Sequence, residues 1–288
     1  MPRRHFSQEP TSKLAIWARR MALFALAAAF LSVVILRSGL LEIWPALATF
    51  FGALGLAILA VLLAFAAFVV IWKDGLSGMG YAFSAIGIGL ALLAYPAYLA
   101  VLSYRLPWIY DVTTDPIDPP RYEALARIRP RDANPVIYAG LSAAEQQREA
   151  YPDIEPLDAD ASPLVAYNAA LAVITKRKWR IVDQRPPTAG RREGRIEAVA
   201  FTLIMGFRDD VVVRVRPEED GARVDVRSSS RYGTFDFGAN AARIRNLLEE
   251  IEDVIDAQRP EESAPAPAKK KGTQPKGGPA KKGGQGKR

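Results

Sequence analysis

Asp209 and Asp210 stand side by side, with Asp225 and Asp236 a short way downstream. Carboxylates grouped like this can hold a divalent cation or work as general acid and general base. Neighbouring residues at the start of a strand point to opposite faces of a sheet, so only one of the adjacent pair can line a given pocket. The competing role for both is a turn or an ion pair. A second group is basic. Arg227-Ser228-Ser229-Ser230-Arg231-Tyr232-Gly233 offers two guanidinium groups, three hydroxyls and a flexible backbone, a set suited to phosphate or carboxylate. Arg214, Asp225, Asn240 and Arg243 extend the same anion-binding or partner-binding set. Its competing reading is a strand end whose arginines pair with Asp209, Asp225 and Asp236, because fixed bidentate pairs are also common structural devices.

Other chemistries are closed by composition. The chain has no cysteine, which removes disulfides, thiolate nucleophiles and thiolate-ligated zinc. His5 is the single histidine and lies in the polar N-terminal segment, so no Ser-His-Asp triad can form in the C-terminal part. No metal site and no cofactor is expected. Nine lysines and arginines from Arg259 onward, against Glu261 and Glu262, account for the whole net charge of +7. A basic balance confined to a tail does not mark the folded part as a nucleic-acid binder, and nucleic acid is not expected as a partner.

The elements that position these residues follow from periodicity. Ser142-Ala-Ala-Glu145 has the spacing of a capping box and opens a short helix that Pro152 ends. Ser162 and Pro163 start a second helix, over 163–178, with Leu164, Tyr167, Leu171 and Ile174 on one face. Four strands come next, over 179–182, 195–203, 210–216 and 222–228, and Asp220-Gly221 reads as the tight turn between the last two. By parity Val211, Val213 and Val215 share a face with Val224 and Val226, while Arg214 and Arg216 share the other with Asp225 and Arg227. Two registers pair Asp225 with either Arg214 or Arg216. Each leaves one like-charged pair for a further group to neutralise, either Glu197 or an anionic ligand. The last helix carries Ile244, Leu247, Leu248, Ile251, Val254 and Ile255 as one stripe, with Asn240 or Asp236 as its cap. Arg243 and Arg245 oppose its dipole near the start, which points to a partner for them elsewhere. Beyond 259 the chain turns to Pro, Ala, Lys and Gly and is expected to be a disordered basic tail.

Ahead of all this lie three apolar runs, 21–36, 46–72 and 79–102. A bilayer core of about 30 Å takes roughly 20 apolar residues as helix, and three spans are expected. Ala85 and Gly89 give the third a small-residue face for close helix contact, and no ionisable residue lies deep in any span. Arg3, Arg4, Lys13, Arg19, Arg20 and Lys73 fall on one side, against Arg37, Arg105 and Arg121 on the other. That bias puts the N-terminus in the cytoplasm and, with an odd number of spans, the soluble part outside it. The expected organisation is a cytoplasmic segment over 1–20, a membrane domain over 21–105, an extended proline-rich linker over 106–135, a soluble domain over 136–258 and the tail over 259–288.

From Tyr151 to Leu248 the chain resembles a bacterial family known as domain of unknown function 1499. The likeness is carried by Ala150-Tyr-Pro-Asp-Ile154, Gly194-Arg-Ile-Glu197-Ala, Gly206-Phe-Arg-Asp209-Asp210-Val-Val-Val-Arg214, Val224-Asp225-Val-Arg227-Ser228-Ser-Ser230-Arg231 and Phe237-Gly238-Ala-Asn240-Ala-Ala-Arg243-Ile244. The resemblance implies an envelope-associated soluble domain behind membrane spans, with no established activity. The expectation is therefore an α+β protein of the bacterial inner membrane: three transmembrane helices, then a two-layer periplasmic domain with a four-stranded antiparallel sheet covered by helices. Its expected function is to bind an anionic envelope component or an envelope protein. The alternative is an envelope hydrolase or transferase using Asp209, Asp210 or Asp225.

Overall fold

A computed structural model of the chain describes residues 9–39 and 42–258. His5, Arg3, Arg4 and the basic tail lie outside the described residues. Three helices come first: α1 (Lys13–Ser38), α2 (Ile43–Asp74) and α3 (Met79–Ser103). At about 1.5 Å per residue each exceeds the ~30 Å of a hydrocarbon core, and each is apolar enough to cross it. Their mutual contacts use small residues. Ala15, Ala18 and Ala22 of α1, Ala60, Ala64 and Ala67 of α2, and Ala82 and Ala85 of α3 form one buried seam, while Phe24, Phe30, Phe51, Phe65 and Phe83 point outward. Without a hydrophobic drive between helices in lipid, close backbone approach supplies the attraction. Gly89 belongs to that seam, since a Cβ there would run into Val61 and the carbonyl of Ala57.

The spans alternate in direction. The start of α1 meets the α2–α3 turn, where the Ser12 amide donates to the Ser77 carbonyl at 2.9 Å and the Ser77 amide to that of Pro10 at 3.2 Å. The ends of α1 and α3 therefore lie together at the opposite side, where the soluble domain begins.

That domain is α+β, built on one antiparallel sheet ordered β1 (Asp111–Thr113), β6 (Gly221–Ser230), β5 (Arg208–Glu218), β4 (Gly194–Phe201), β3 (Arg180–Arg185), with β2 (Leu157–Ala159) also paired to β6. The four expected strands are present, but the sheet has six. β1 and β2 are three residues each, too short to show a period of two, and β1 lies in the segment expected to be only a linker. Helices α6 (Pro163–Lys176) and α7 (Ala239–Gln258) cover the valine face, where Val211, Val213, Val215, Val224 and Val226 are buried with Ile174, Ile244, Leu247 and Ile251. The alternation in β5 and β6 causes this: one parity is apolar and packs on α6 and α7, and the other carries the charges.

Three local expectations shift. The β5–β6 turn is Glu219-Asp220, because Glu218 already pairs with Gly221; glycine is needed there since a Cβ would collide with the Ala159 carbonyl of β2. α5 (Leu141–Ala150) starts from Gly140 with no side-chain cap, leaving Ser142 inside its first turn. For α7, Asp236 is the cap: its carboxylate accepts from the amides of Gly238 and Asn240 at 2.9 and 2.8 Å.

The face away from α6 and α7 is not open. The chain from Thr114 to Val136, with the short helix α4 (Ala124–Ile128), folds back across it, and Tyr122 and Leu125 bury Val199 and Val212 in a second small core. Glu197, fully buried, accepts from the amides of Glu123 (2.9 Å), Ala124 (3.2 Å) and Leu125 (2.8 Å). A carboxylate at the first amides of a helix satisfies donors that have no partner within it.

Candidate functional site

The register pairs Arg214 with Asp225 and sets Arg216 opposite Arg223. The like-charged pair does need a neutralising group, and the returning strap supplies one, while Glu197 is committed to the amides of α4. Asp115 lies 3.4 Å from Arg216 and 3.6 Å from Arg223, and Asp118 lies 2.9 Å from Arg214. Asp225, fully buried, accepts from Arg214 (3.1 Å), Arg216 (2.9 Å) and Arg223 (3.1 Å). Burial raises the Asp115 carboxyl, and the amides of Asp118 and Ile117 with Arg214 and Arg223 more than reverse it, leaving its pKa below the ordinary 3.8.

Further along the same face, Arg227 forms a bidentate pair with Asp111, Nε to Oδ1 at 2.9 Å and Nη2 to Oδ2 at 2.6 Å. It also donates to the carbonyls of Pro120 (3.2 Å) and Val136 (3.0 Å) and lies 4.6 Å from the ring centre of Tyr122. Burial works against its charge, but the hydrogen bonds it donates to Asp111, with the neighbouring negative groups, outweigh that and lift its pKa above the usual guanidinium value. Asp210, at the end of the row, accepts from Arg129 Nε (2.7 Å) and Arg231 Nε (2.8 Å).

Asp209 turns the other way, as strand parity requires. It meets Arg243 of α7 at 2.5 Å; Arg243 donates to Ser228 at 2.8 Å, Ser228 donates to Asn240 at 2.7 Å, and Asn240 reaches Ser230 at 3.0 Å and the Tyr110 carbonyl at 2.9 Å. Burial pushes the Asp209 carboxyl above its ordinary value, against the pull of Arg243. The partners expected for the two arginines of α7 are thus found, Arg243 with Asp209 and Arg245 with Asp153.

The sequence candidates therefore separate into two clusters on opposite faces of one sheet. Arg214, Asp225, Arg227, Arg231 and Asp210 face the strap. Asp209, Ser228, Ser230, Asn240 and Arg243 face α7. In both, carboxylates meet guanidinium groups of the same chain, and Asp209, Asp210, Asp225, Arg227 and Arg231 are each at most 2 % exposed. Among the described residues no group of three or more His, Cys, Asp or Glu could hold a metal ion. Asp111, Asp115, Asp118 and Arg129 complete the network without standing out in the sequence. Their only signal was the density of charge in a proline-rich stretch, which reads equally well as a solvated linker.

Exposed basic residues are spread over the soluble domain. Those that form no ion pair among the described residues include Arg121, Arg127 and Arg131 on the strap, Arg148 on α5 and Arg208 at the start of β5, together with Lys178 and Arg180 at the start of β3, the edge strand of the sheet, and Arg192 in the turn between β3 and β4. Arg191 beside Arg192 donates to the Pro186 carbonyl at 2.9 Å.

Three apolar helices long enough to cross a membrane, followed by an α+β domain whose sheet is roofed by its own linker, define a membrane protein with one appended soluble domain. Residues 111–251 match the family model DUF1499, protein of unknown function, and the soluble domain belongs to that family. The match begins forty residues before the stretch that carried the resemblance in the sequence, at the residue where β1 joins the sheet. Among curated proteins no relative matches. The crystal structure of the vertebrate conserved region of human METTL16 aligns with 13% identity over 38% of this chain and 85% of that one, with a TM-score of 0.25, too low to carry any argument.

Proposed function

We propose that this is an anchored recognition module of the bacterial inner membrane, whose soluble domain lies outside the cytoplasm and binds an anionic envelope component. The lysine and arginine bias of the span ends supports that orientation. The observation that carries the binding reading is the contrast in charge use. Interior arginines are matched by carboxylates, whereas Lys178 and Arg180 at the start of β3 and Arg192 in the turn that follows it are exposed and form no ion pair among the described residues. A strand of six residues rises about 20 Å, long enough to follow several repeats of an anionic polymer. The site residues first suggested by the sequence, Arg214, Arg227, Arg231 and Arg243, act in this reading as the rigid frame behind that edge.

The test uses the chain ended at Gln258, so that the basic tail cannot contribute, in nanodiscs of neutral lipid with dextran sulfate as the probe. Replacing Lys178, Arg180 and Arg192 together by Gln should abolish the salt-sensitive binding that the parent chain shows. Equal binding by both chains, or none by either, would refute the proposal. A hydrolase or transferase using Asp209, Asp210 or Asp225 would need those carboxylates to reach substrate, and each lies beneath α7 or the strap.

A further inference from the structure

The turn between β4 and β5, Thr202-Leu203-Ile204-Met205-Gly206-Phe207, is apolar where a turn in water is ordinarily polar. Leu203 is 91% exposed, and Phe201 and Ile204 are exposed beside it. This tip sits on the end of a membrane span. Arg37, in the last turn of α1, donates to the carbonyls of Leu203 at 2.6 Å and Ile204 at 3.2 Å. Gly206, at φ +70, lets the tip come so close that a Cβ there would lie 3.4 Å from the Arg37 Cα. Part of the loop's backbone is matched within it: the Thr202 amide donates to the Phe207 carbonyl (2.9 Å), the Gly206 amide to the Thr202 carbonyl (3.1 Å), and the Phe207 amide to Thr202 Oγ1 (2.9 Å). A loop in water has no need to match these groups internally, but one entering a bilayer does.

The same end of the sheet carries a second apolar group, at the end of α3. Trp108 is 65% exposed, stacks on Phe235 with ring centres 5.5 Å apart, and donates its indole N–H to the Ser103 carbonyl at 3.3 Å; Phe237 lies 4.4 Å from Phe235. Exposed aromatic rings with a polar edge concentrate at the headgroup level of membranes.

We propose that the β4–β5 tip and the Trp108 cluster are two lipid contacts that seat the soluble domain on the leaflet from which α1 and α3 emerge, with Leu203 entering the acyl region. The occupant is the bilayer and not a protein, because Arg37 ties the tip to a span end and so places it at the depth where that span leaves the hydrocarbon. Two contacts, at the ends of two different helices, hold the domain at one orientation. β5, of eleven residues, then carries the Glu219-Asp220 turn about 36 Å toward water. This inference is independent of what β3 binds.

The chain lacks cysteine, so single sites can be labelled in the full-length protein without background. Leu203→Cys and Asp220→Cys, both at exposed positions, are each given a nitroxide and placed in phosphatidylcholine nanodiscs. Collisions with oxygen, which partitions into lipid, and with a water-soluble nickel chelate are measured by power saturation. Oxygen should dominate at 203 and nickel at 220. Nickel access at 203 equal to that at 220 would overturn the proposal. So would a label at 203 shielded from both reagents, which would put a second protein there.

Discussion

Replacing Arg227 by Met should unlock the domain from inside. Arg227 and Asp111 are 2 % and 1 % exposed, and the bidentate pair ties β6 to β1 at the point where the chain leaves the last span. Met preserves most of the side-chain volume and stem, so the loss isolates the guanidinium. Removing one partner of a buried ion pair strands the other charge, at a cost of about 3–5 kcal/mol. Domain stabilities run to about 5–15 kcal/mol, so the change takes a large share. At about 1.4 kcal/mol per factor of ten, amide exchange of β6 should accelerate by roughly 100- to 5,000-fold in the full-length protein in detergent. The assay is hydrogen–deuterium exchange read by mass spectrometry on peptides covering 221–230. Adding Asp111→Leu removes the stranded carboxylate and should return most of the protection, since an apolar pair can replace a buried ion pair at little cost. An R227M variant within tenfold of the parent would refute the assignment of Arg227 to the frame. So would a double variant as unprotected as the single.

Further outcomes follow from the same geometry. In the membrane domain, Gly89→Ala must push against Val61 and the Ala57 carbonyl and should lower the melting temperature in detergent, whereas Gly87→Ala, with nothing within 4 Å of the added carbon, should leave it unchanged. Glu197→Gln keeps shape but loses the second charged acceptor for three amides; α4 should fray, with a loss of about 1–2 kcal/mol read as faster exchange over 123–128. The pH dependence of one surface pair has a definite sign. Arg245 holds the Asp153 carboxyl below the ordinary 3.8, so its contribution is present above pH 3.8 and is lost as pH falls through the lower folded value. The melting-temperature gap between the parent and Asp153→Asn should therefore be constant near neutrality and close in stronger acid; a gap that persists there would contradict the pairing.

Much of this architecture was legible in the chain because its cause is periodic. The stripe of α7 and the valine parity of β5 and β6 are repeated over many residues, the Ser162-Pro163 start of α6 is a strong local cap, and each reappears in the structure. The two short strands were hidden because three residues do not make a pattern and prolines surround them. The clusters were half legible. Parity correctly put Asp209 and Asp210 on opposite faces, and the register argument correctly demanded a neutralising group beside Arg216. What no local rule could supply was the origin of that group, since Asp115 and Asp118 are about a hundred residues away and reach Arg214 and Arg216 only because the strap doubles back over the sheet. The same long-range closure turned arginines that looked available for a ligand into interior ion pairs.

The side of the membrane that the domain occupies decides which ligands can reach it, and one labelling experiment addresses that directly. Ala189→Cys places a lone thiol on the exposed β3–β4 turn of an otherwise cysteine-free chain. Cells stripped of any outer barrier are treated with a membrane-impermeant maleimide before and after lysis. Full labelling before lysis is the predicted result. Labelling that appears only after lysis would put the basic edge in the cytoplasm and contradict the proposed recognition of an envelope component.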